Sequence, residues 1–352
     1  MQEIIEVTFY ILSGVIILFT LIPLIRHDHW TFRVFEFPRA QKWVLNLLIM
    51  LGYILLIGIS YPIDFIFVGL LAVNLIYLSY QIYPFLPFSP KQIQSTGKNQ
   101  KADIKLLISN VYQYNRKFEK LDQLIHENDA DLVLMVETDK WWKEKSVESF
   151  GEKYPYQVLI DQENTYGMLI FSKFELQNTE VRHLVKKEVP SVVTEIVIKN
   201  KNKIKLFALH PEPPVPGENL YSTARDAEIL MVGKEVANEI LPVIVAGDLN
   251  DVAWSYTTTL FQRISRLLDP RRGRGFFSTF HAKYPLFRWP LDHVFCSGHF
   301  RVDKMKRLKG IGSDHFPILL DLYLSHIEDN SEQLEVDKDD RETAEEKIQA
   351  KE

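Results

Sequence analysis

Three stretches without a single charged side chain, Val7 to Ile25, Trp43 to Ser60 and Phe65 to Pro90, constrain this chain more than anything else in it. They run 19, 18 and 26 residues, and a hydrocarbon core of roughly 30 Å is crossed by about 20 apolar helical residues. Each is long enough to span a membrane. Buried soluble helices behind a signal peptide are the alternative, but Glu3 and Glu6 precede the first run with no Lys or Arg, the reverse of a secretory leader. Spans over about residues 7–25, 43–60 and 65–83 are predicted. The last two are separated only by Tyr61 to Asp64, which reads as a hairpin turn at the far membrane surface, with Asn46 and Asn74 available to hydrogen-bond between helices. Arg26, Arg33, Arg39 and Lys42 lie between the first two spans, and Lys91, Lys98 and Lys101 follow the third. Positive-inside counting puts the N-terminus outside and everything after residue 90 in the cytoplasm. A multi-pass integral membrane protein partnered by a lipid bilayer is expected, with no protein partner indicated.

Beyond the transmembrane region, residues 1–83, the chain changes character. Residues 84–102 pass from Pro-spaced to Gln/Ser/Lys-rich and read as a linker, stiff and then flexible. From 103 to 325 short apolar runs alternate with amphipathic segments, the pattern of a layered α/β fold. Residues 326–352 read as an acidic, disordered tail, since the last 26 residues hold 11 Asp/Glu against 4 Lys/Arg. That tail's net −7 against −5 for the chain leaves +2 for the rest, so the low overall charge does not exclude a polyanionic substrate. The single cysteine, Cys296, excludes an intrachain disulfide framework and a thiolate zinc cluster.

Polar residues recur where apolar strands run out. Ile104 to Ser109 delivers Asn110, and a helical segment then leads to Asp131 to Val136, which delivers Glu137. A strand, helix and strand of that length make a right-handed parallel unit, which brings Asn110 and Glu137 to one sheet edge. Ile204 to Leu209 delivers His210, and Pro242 to Ala246 delivers Gly247-Asp248-Leu249-Asn250. Asp292 opens another apolar run, and Gly312-Ser313-Asp314-His315 precedes the last. Singly, an Asn or Asp here is more often a turn former and a His a structural hydrogen-bonder. Glu137, directly after five apolar residues, must reach a cleft or be paired. Together, carboxylates, amides and two histidines without a cysteine cluster favour Mg²⁺ or Mn²⁺ over Zn²⁺ and suit hydrolysis of a phosphoester. The chain has no GxxxxGK[ST] loop and no GxSxG elbow.

In this order, Ser109-Asn110-Val111, Val136-Glu137-Thr138, Gly167 to Lys173, Gly247 to Asn250, Leu291 to Phe295 and Gly312 to Pro317 resemble the endonuclease/exonuclease/phosphatase superfamily across residues 103–325. That superfamily includes apurinic endonucleases, pancreatic-type deoxyribonucleases, neutral sphingomyelinases and inositol polyphosphate 5-phosphatases. With three N-terminal spans, Asn164 to Gly167, Leu209-His210-Pro211 and Gly247 to Ser255, the chain is similar to a bacterial membrane-anchored branch, which implies an inner-membrane location. The resemblance implies a four-layered α/β sandwich, two packed mixed sheets flanked by helices, with the site at one edge. It implies that Asn110 and Glu137 hold the metal with Asp314 as a further or water-mediated ligand, that Asp248 activates water, and that Asn250 and His210 donate to phosphoryl oxygens. His315 would contact the scissile phosphate, with Asp292 fixing its tautomer.

Two positions depart from the family pattern. Tyr112 stands where some members place an acid, and His293 replaces an aromatic residue after Asp292. For substrate, Arg263, Arg266, Arg271, Arg272 and Arg274 interleaved with Phe261, Phe276 and Phe277 read either as a nucleic-acid track or as a solvated helix and loop. The reading placed first is a membrane-anchored Mg²⁺-dependent phosphodiesterase or nuclease using in-line attack of water. The alternatives are a lipid headgroup phosphodiesterase or phosphatase, and a non-catalytic adaptor on the same fold.

Overall fold

A computed structural model describes residues 2–97, 100–325 and 327–351; Lys98, used in the orientation count, and His326 lie outside them. The N-terminal part is α1 (Gln2–Leu21), continued by a 3-10 turn to Ile25, a short α2 (Trp30–Arg33), α3 (Arg39–Leu56) and α4 (Pro62–Ile82). Three segments are long and apolar enough to cross a membrane, Glu3–Ile25, Arg39–Leu56 and Pro62–Phe85. Their outer faces carry exposed Ile11, Leu48, Leu55, Val73 and Ile76, as lipid-facing helices do. The second helix stops short of the predicted 43–60, because the chain turns at Gly58 (φ +82°), a backbone conformation that side chains disfavour. The third starts earlier than predicted. Pro62 opens it, and Asp64 caps it by accepting from the Ser60 and Tyr61 amides at 2.9 and 2.7 Å.

The following elements are β1 (Ile104–Asn110), α5 (Phe118–Asn128), β2 (Leu132–Val136), α6 (Lys140–Phe150), β3 (Tyr156–Ile160), β4 (Met168–Ser172), β5 (Glu175–Arg182) and β6 (Ser191–Val197). Next come β7 (Lys203–Leu209), α7 (Thr223–Val236), β8 (Val243–Asp248), α8 (Tyr256–Ser265), β9 (Asp292–Cys296), β10 (Phe300–Arg307), β11 (Ile318–Leu324) and α9 (Lys338–Gln349). One sheet has the order β10-β11-β1-β2-β4-β3 and the other β5-β6-β7-β8-β9. Alternate residues of each central strand point opposite ways. Leu106, Ile108, Leu134, Leu206, Ile244 and Val294 meet between the sheets. Leu107, Val133 and Met135 pack outward against Phe118, Leu121 and Ile125 of α5, and Phe207 and Val245 against Ile229 and Leu260 of α7 and α8. The result is the expected four-layered sandwich.

Two flanking segments differ from expectation. Within the 84–102 segment, Ile93 is buried in the inter-sheet core and Phe85 packs with Trp254 and Leu291, so its apolar residues dock rather than swing. The tail, expected to be disordered, forms α9. Asp337 caps it, Ala344 is buried against the α7 and α8 layer, Arg263 binds Asp340 at 2.9 Å, and Lys347 reaches Asp28 and Asp226 at 2.8 and 3.0 Å. A net acid count hides this spacing of Ala344, Lys347 and Ile348 along one face.

Candidate active site

Topology gathers the candidate residues at one end of both sheets. β1 and β2 are parallel, as are β7 and β8, so Asn110, Glu137, His210 and Asp248 leave four strands in the same direction. β9 and β11 run antiparallel to β8 and β1; Asp292 therefore starts its strand directly opposite Asp248, and His315 precedes β11 at the same edge. Two glycines permit this packing. A Cβ at Gly247 (φ +144°) would lie 1.9 Å from the Leu209 carbonyl oxygen, and one at Gly167 would lie 1.8 Å from that of Thr138, just after Glu137. Tyr112, Glu137 and Asn250 hold positive φ of 58°, 57° and 52°, a strain that concentrates at functional sites.

The side chains form one chain of contacts across both sheets. His315 Nδ1 donates to Asp292 Oδ2 at 2.8 Å, and its Nε2 lies 3.6 Å from Asp248 Oδ2. Asn110 Nδ2 donates to that same Asp248 oxygen at 3.0 Å and to Glu137 Oε1 at 2.6 Å. Both amide hydrogens of Asn110 are thus spent bridging two carboxylates, and its Oδ1 accepts from the Tyr112 amide at 2.9 Å, keeping a second lone pair. His210 donates from Nδ1 to the Asp248 carbonyl at 3.2 Å. Asn250 gives one amide hydrogen to the Pro211 carbonyl at 2.9 Å and retains another.

Electrostatics follow from that geometry. Burial disfavours a charged His315, but Asp292 and Asp248 outweigh it and hold the imidazole protonated, pushing its pKa up to about 10. Burial raises the Asp292 and Glu137 carboxyls, against the pull of His315 on the first and of His210 on the second. Asp292 Oδ1 is buried with no hydrogen-bond partner among the described residues. An orphaned carboxylate oxygen and a desolvated Glu137 make an oxygen-rich, cation-deficient site, which fits a hard divalent ion. Atoms of Asp248, Asp292 and His315 lie within 4.8 Å of one another, a grouping that would hold a metal only with His315 deprotonated. Asp314 stands apart. It is half-buried, and its carboxylate meets the Ser313 hydroxyl at 3.3 Å rather than joining the chain of contacts.

Several supporting residues escape sequence reasoning. Phe280 lays its ring 5.0 Å from His315, and the Thr279 hydroxyl accepts from the Asp292 amide at 3.3 Å. Buried Arg225 donates to the Asn250 carbonyl at 2.7 Å and pairs with Asp226. Only their positions in the folded chain give them these roles; no local motif marks them. His293 proves structural. Its Nε2 donates to the Asp251 carbonyl at 2.8 Å while Nδ1 accepts from Arg271 at 2.7 Å, and burial and that arginine keep it neutral. The arginine stretch is largely spent inside the molecule: Arg271 on Asp269, Arg272 on Gln262, Arg274 on the Ile93 carbonyl and Arg263 on Asp340. It presents no continuous basic track.

A model of the Endonuclease/Exonuclease/phosphatase family matches residues 107–315. No curated protein matches the chain. Among solved structures, an endonuclease/exonuclease/phosphatase from Beutenbergia cavernae is 15% identical with a TM-score of 0.53, covering 64% of this chain and 72% of that one. A family protein from Bacteroides thetaiotaomicron is 17% identical with a TM-score of 0.52, covering 66% and 98%. D. rerio TDP2 complexed with a single strand DNA product is 14% identical with a TM-score of 0.51, covering 62% and 98%. At these identities the likeness is one of fold.

Proposed function

The chain belongs to the endonuclease/exonuclease/phosphatase family, whose members are metal-dependent phosphoester hydrolases, and on that premise we propose that it is a membrane-anchored, Mg²⁺- or Mn²⁺-dependent phosphodiesterase. The observation that carries this reading is the unbroken path Asp292, His315, Asp248, Asn110, Glu137, which joins both sheets. Glu137 and the remaining lone pair of Asn110 Oδ1 would hold the cation. When bound, the ion neutralises charge on phosphoryl oxygens.

This chain's own residues do the rest. Asp248, fixed by the Asn250 amide at 3.0 Å and by Asn110, orients the attacking water and takes its proton. His315, held as an imidazolium between two carboxylates, presents Nε2 to the developing phosphoryl charge. Asp292 fixes its orientation. The spare amide hydrogen of Asn250 supplies a further donor; His210, whose Nδ1 hydrogen goes to the Asp248 carbonyl, would donate from Nε2 only as an imidazolium. The Phe280 ring, 5.0 Å from that of His315, limits water there.

The spans anchor the domain, and positive-inside counting puts it on the cytoplasmic face. The segment between α1 and α3 hydrogen-bonds the sandwich through Trp30 to the Leu220 carbonyl at 2.8 Å, so both lie on one side of any bilayer that the helices span. Protease added outside intact spheroplasts should spare the domain; digestion would invert the topology. The hydrolase reading is tested with bis(p-nitrophenyl) phosphate and the detergent-solubilised full chain. Turnover is expected with Mg²⁺ or Mn²⁺. Turnover that a zinc-selective chelator abolishes and Mg²⁺ leaves unchanged would refute the metal assignment.

A further inference from the structure

Two loops that rim the site are tied at their outer ends to the residues flanking the spans. The first, residues 211–222, starts beside His210, and its Pro211 carbonyl accepts from Asn250. Its far end pairs with the segment after α1: the Trp30 amide donates to the Leu220 carbonyl at 2.8 Å, and the Ser222 amide to that of Asp28 at 2.9 Å. The second, residues 280–290, starts with Phe280 against His315, and the Ala282 amide donates to the Asp314 carbonyl at 2.6 Å. Its tip is bound by Gln41, in the first turn of α3, which donates to the Leu286 carbonyl at 2.9 Å, and Trp289 packs edge-on against Phe37 at 5.5 Å.

Both tips are apolar and open. Leu286 is 77% exposed, Phe287 59% and Tyr284 58%, while Leu220 and Tyr221 of the other loop are also exposed. Exposed apolar side chains at a loop tip are costly in water, and here they sit at the ends of two helices that are themselves apolar on the outside. Continuity with the spans names their occupant as the lipid leaflet on the domain's side. The rim also carries cations: the Arg288 and Arg307 guanidinium groups lie 5.0 and 4.7 Å from the centre of the Phe316 ring, next to Asp314 and His315. Arg288 donates to the His281 and Ala282 carbonyls and Arg307 to that of Ser278, and neither makes an ion pair with a carboxylate among the described residues.

The geometry points to a cleft that opens onto the bilayer surface and takes the phosphoester headgroup of a lipid resident in that leaflet. This rests on the hydrolase reading above and adds the substrate class to it. Water oxygen bonds to phosphorus as one P–O ester bond breaks, the departing oxygen takes a proton, and an alcohol and a phosphate monoester result; no electrons are exchanged with a co-reactant.

The test uses the full chain in nanodiscs of phosphatidylcholine and phosphatidylglycerol. Native Cys296 is buried, so Leu286→Cys takes a single environment-sensitive fluorophore. Spin-labelled lipid should quench that label strongly but not the same label at Ile240→Cys, on an exposed turn before β8. Headgroup release from the nanodisc lipids is then compared with turnover of bis(p-nitrophenyl) phosphate and of a single-stranded oligonucleotide. Leu286→Asp and Phe287→Asp should lower lipid turnover by about ten- to hundredfold, the weight of burying one such side chain, and leave the soluble diester unchanged. An unquenched Leu286→Cys label, or hydrolysis of the soluble diester or oligonucleotide with intact lipid, overturns the inference and leaves the hydrolase reading standing. Failure of every substrate with Mg²⁺ and Mn²⁺ overturns that reading and the lipid substrate with it.

Discussion

The helical region and the sandwich both bury polar groups, and they treat them in opposite ways. Between the helices, Asp64 accepts from the Tyr10 and Tyr53 hydroxyls at 2.9 and 2.6 Å as well as from two backbone amides, and Asn46 donates to the Leu71 carbonyl while accepting from Asn74 at 3.0 Å. In the sandwich site, Asp292 keeps an orphaned oxygen and Glu137 a desolvated charge. A satisfied buried group holds helices together. An unsatisfied one stores an unmet demand for a cation or substrate. The difference separates structural polarity from chemical polarity within one chain.

The sharpest way to break that contrast is to remove members of each kind. Asp248→Asn keeps shape but loses the base, an expected loss in kcat of about 10²–10⁴-fold. His315→Ala loses a donor worth about 10²–10³-fold. The double variant should lose less than the product, because both groups act on one transition state. Asp64→Asn in the bundle should leave turnover of bis(p-nitrophenyl) phosphate unchanged. Steady-state kinetics on the soluble diester check all four; wild-type turnover in both single site variants would refute the assignment.

Between the two regions lies a third treatment of charge. Arg33, from the short α2, is buried on Asp226 at 2.7 Å, with Asp28 at 3.0 Å and Glu36 at 3.4 Å. Asp226 also binds Arg225 and Lys347, and Arg225 in turn holds the Asn250 carbonyl. Burial works against the Arg33 charge, but the surrounding carboxylates prevail and raise its pKa. Arg33→Met leaves those acids undercompensated, and breaking such a buried pair costs about 3–5 kcal/mol. Urea unfolding of the detergent-solubilised chain should show a loss near the low end, since Arg225 and Lys347 remain on Asp226. No change would mean that the helical segment rests on the domain without holding it.

That junction also marks where sequence reading stops. The three long apolar helices are legible because length and absence of charge are local properties, and Asn110, Glu137, His210, Asp248, Asp292 and His315 because each stands at one end of an apolar run. Their convergence followed from parallel pairing of β1 with β2. Arg33 was legible only as a topology marker, since its partners Asp226 and Lys347 lie far along the chain. Adjacency to His315 makes Asp314 look like a ligand, yet its carboxylate meets the Ser313 hydroxyl at 3.3 Å outside the chain of contacts. The helical tail is not legible from composition, because net charge averages away the spacing that lets Arg263 take Asp340 and Lys347 take Asp226.

A smaller effect probes a buried acid of the sandwich outside the site. Glu228 on α7 is buried, with one oxygen unpartnered among the described residues, and burial with nearby Glu212 pushes its pKa up to about 8. The folded state therefore keeps this proton longer than the unfolded chain, whose Glu ionises near pH 4.3. Where the unfolded state binds fewer protons, stability falls as pH rises. Its contribution is fully present below about pH 4.3, declines through the interval to about pH 8, and is lost above it. Glu228→Gln should remove that decline. Thermal midpoints of variant and wild type, measured across pH, should diverge upward for the variant through this window; parallel curves would refute the assignment.

The smallest effect expected lies in the bundle. Asn46 and Asn74 share one hydrogen bond at 3.0 Å between α3 and α4, and Asn46 has a second bond to the Leu71 carbonyl. In water-free surroundings such a bond looks decisive, yet helices separated within a membrane find other polar partners, so measured couplings average only about 0.6 kcal/mol. A double-mutant cycle with Asn46→Ala, Asn74→Ala and both, followed by SDS-induced unfolding, should give a coupling of about that size. Asn46→Ala alone should cost more than Asn74→Ala, because it also strips the Leu71 carbonyl of its side-chain donor. A coupling as large as that of the Arg33 cluster would show that the bundle, like the junction, depends on a specific buried polar network. The expected small value means instead that its helices are held by packing and by the four donors on Asp64, leaving the expensive polar arrangements to the junction and the site.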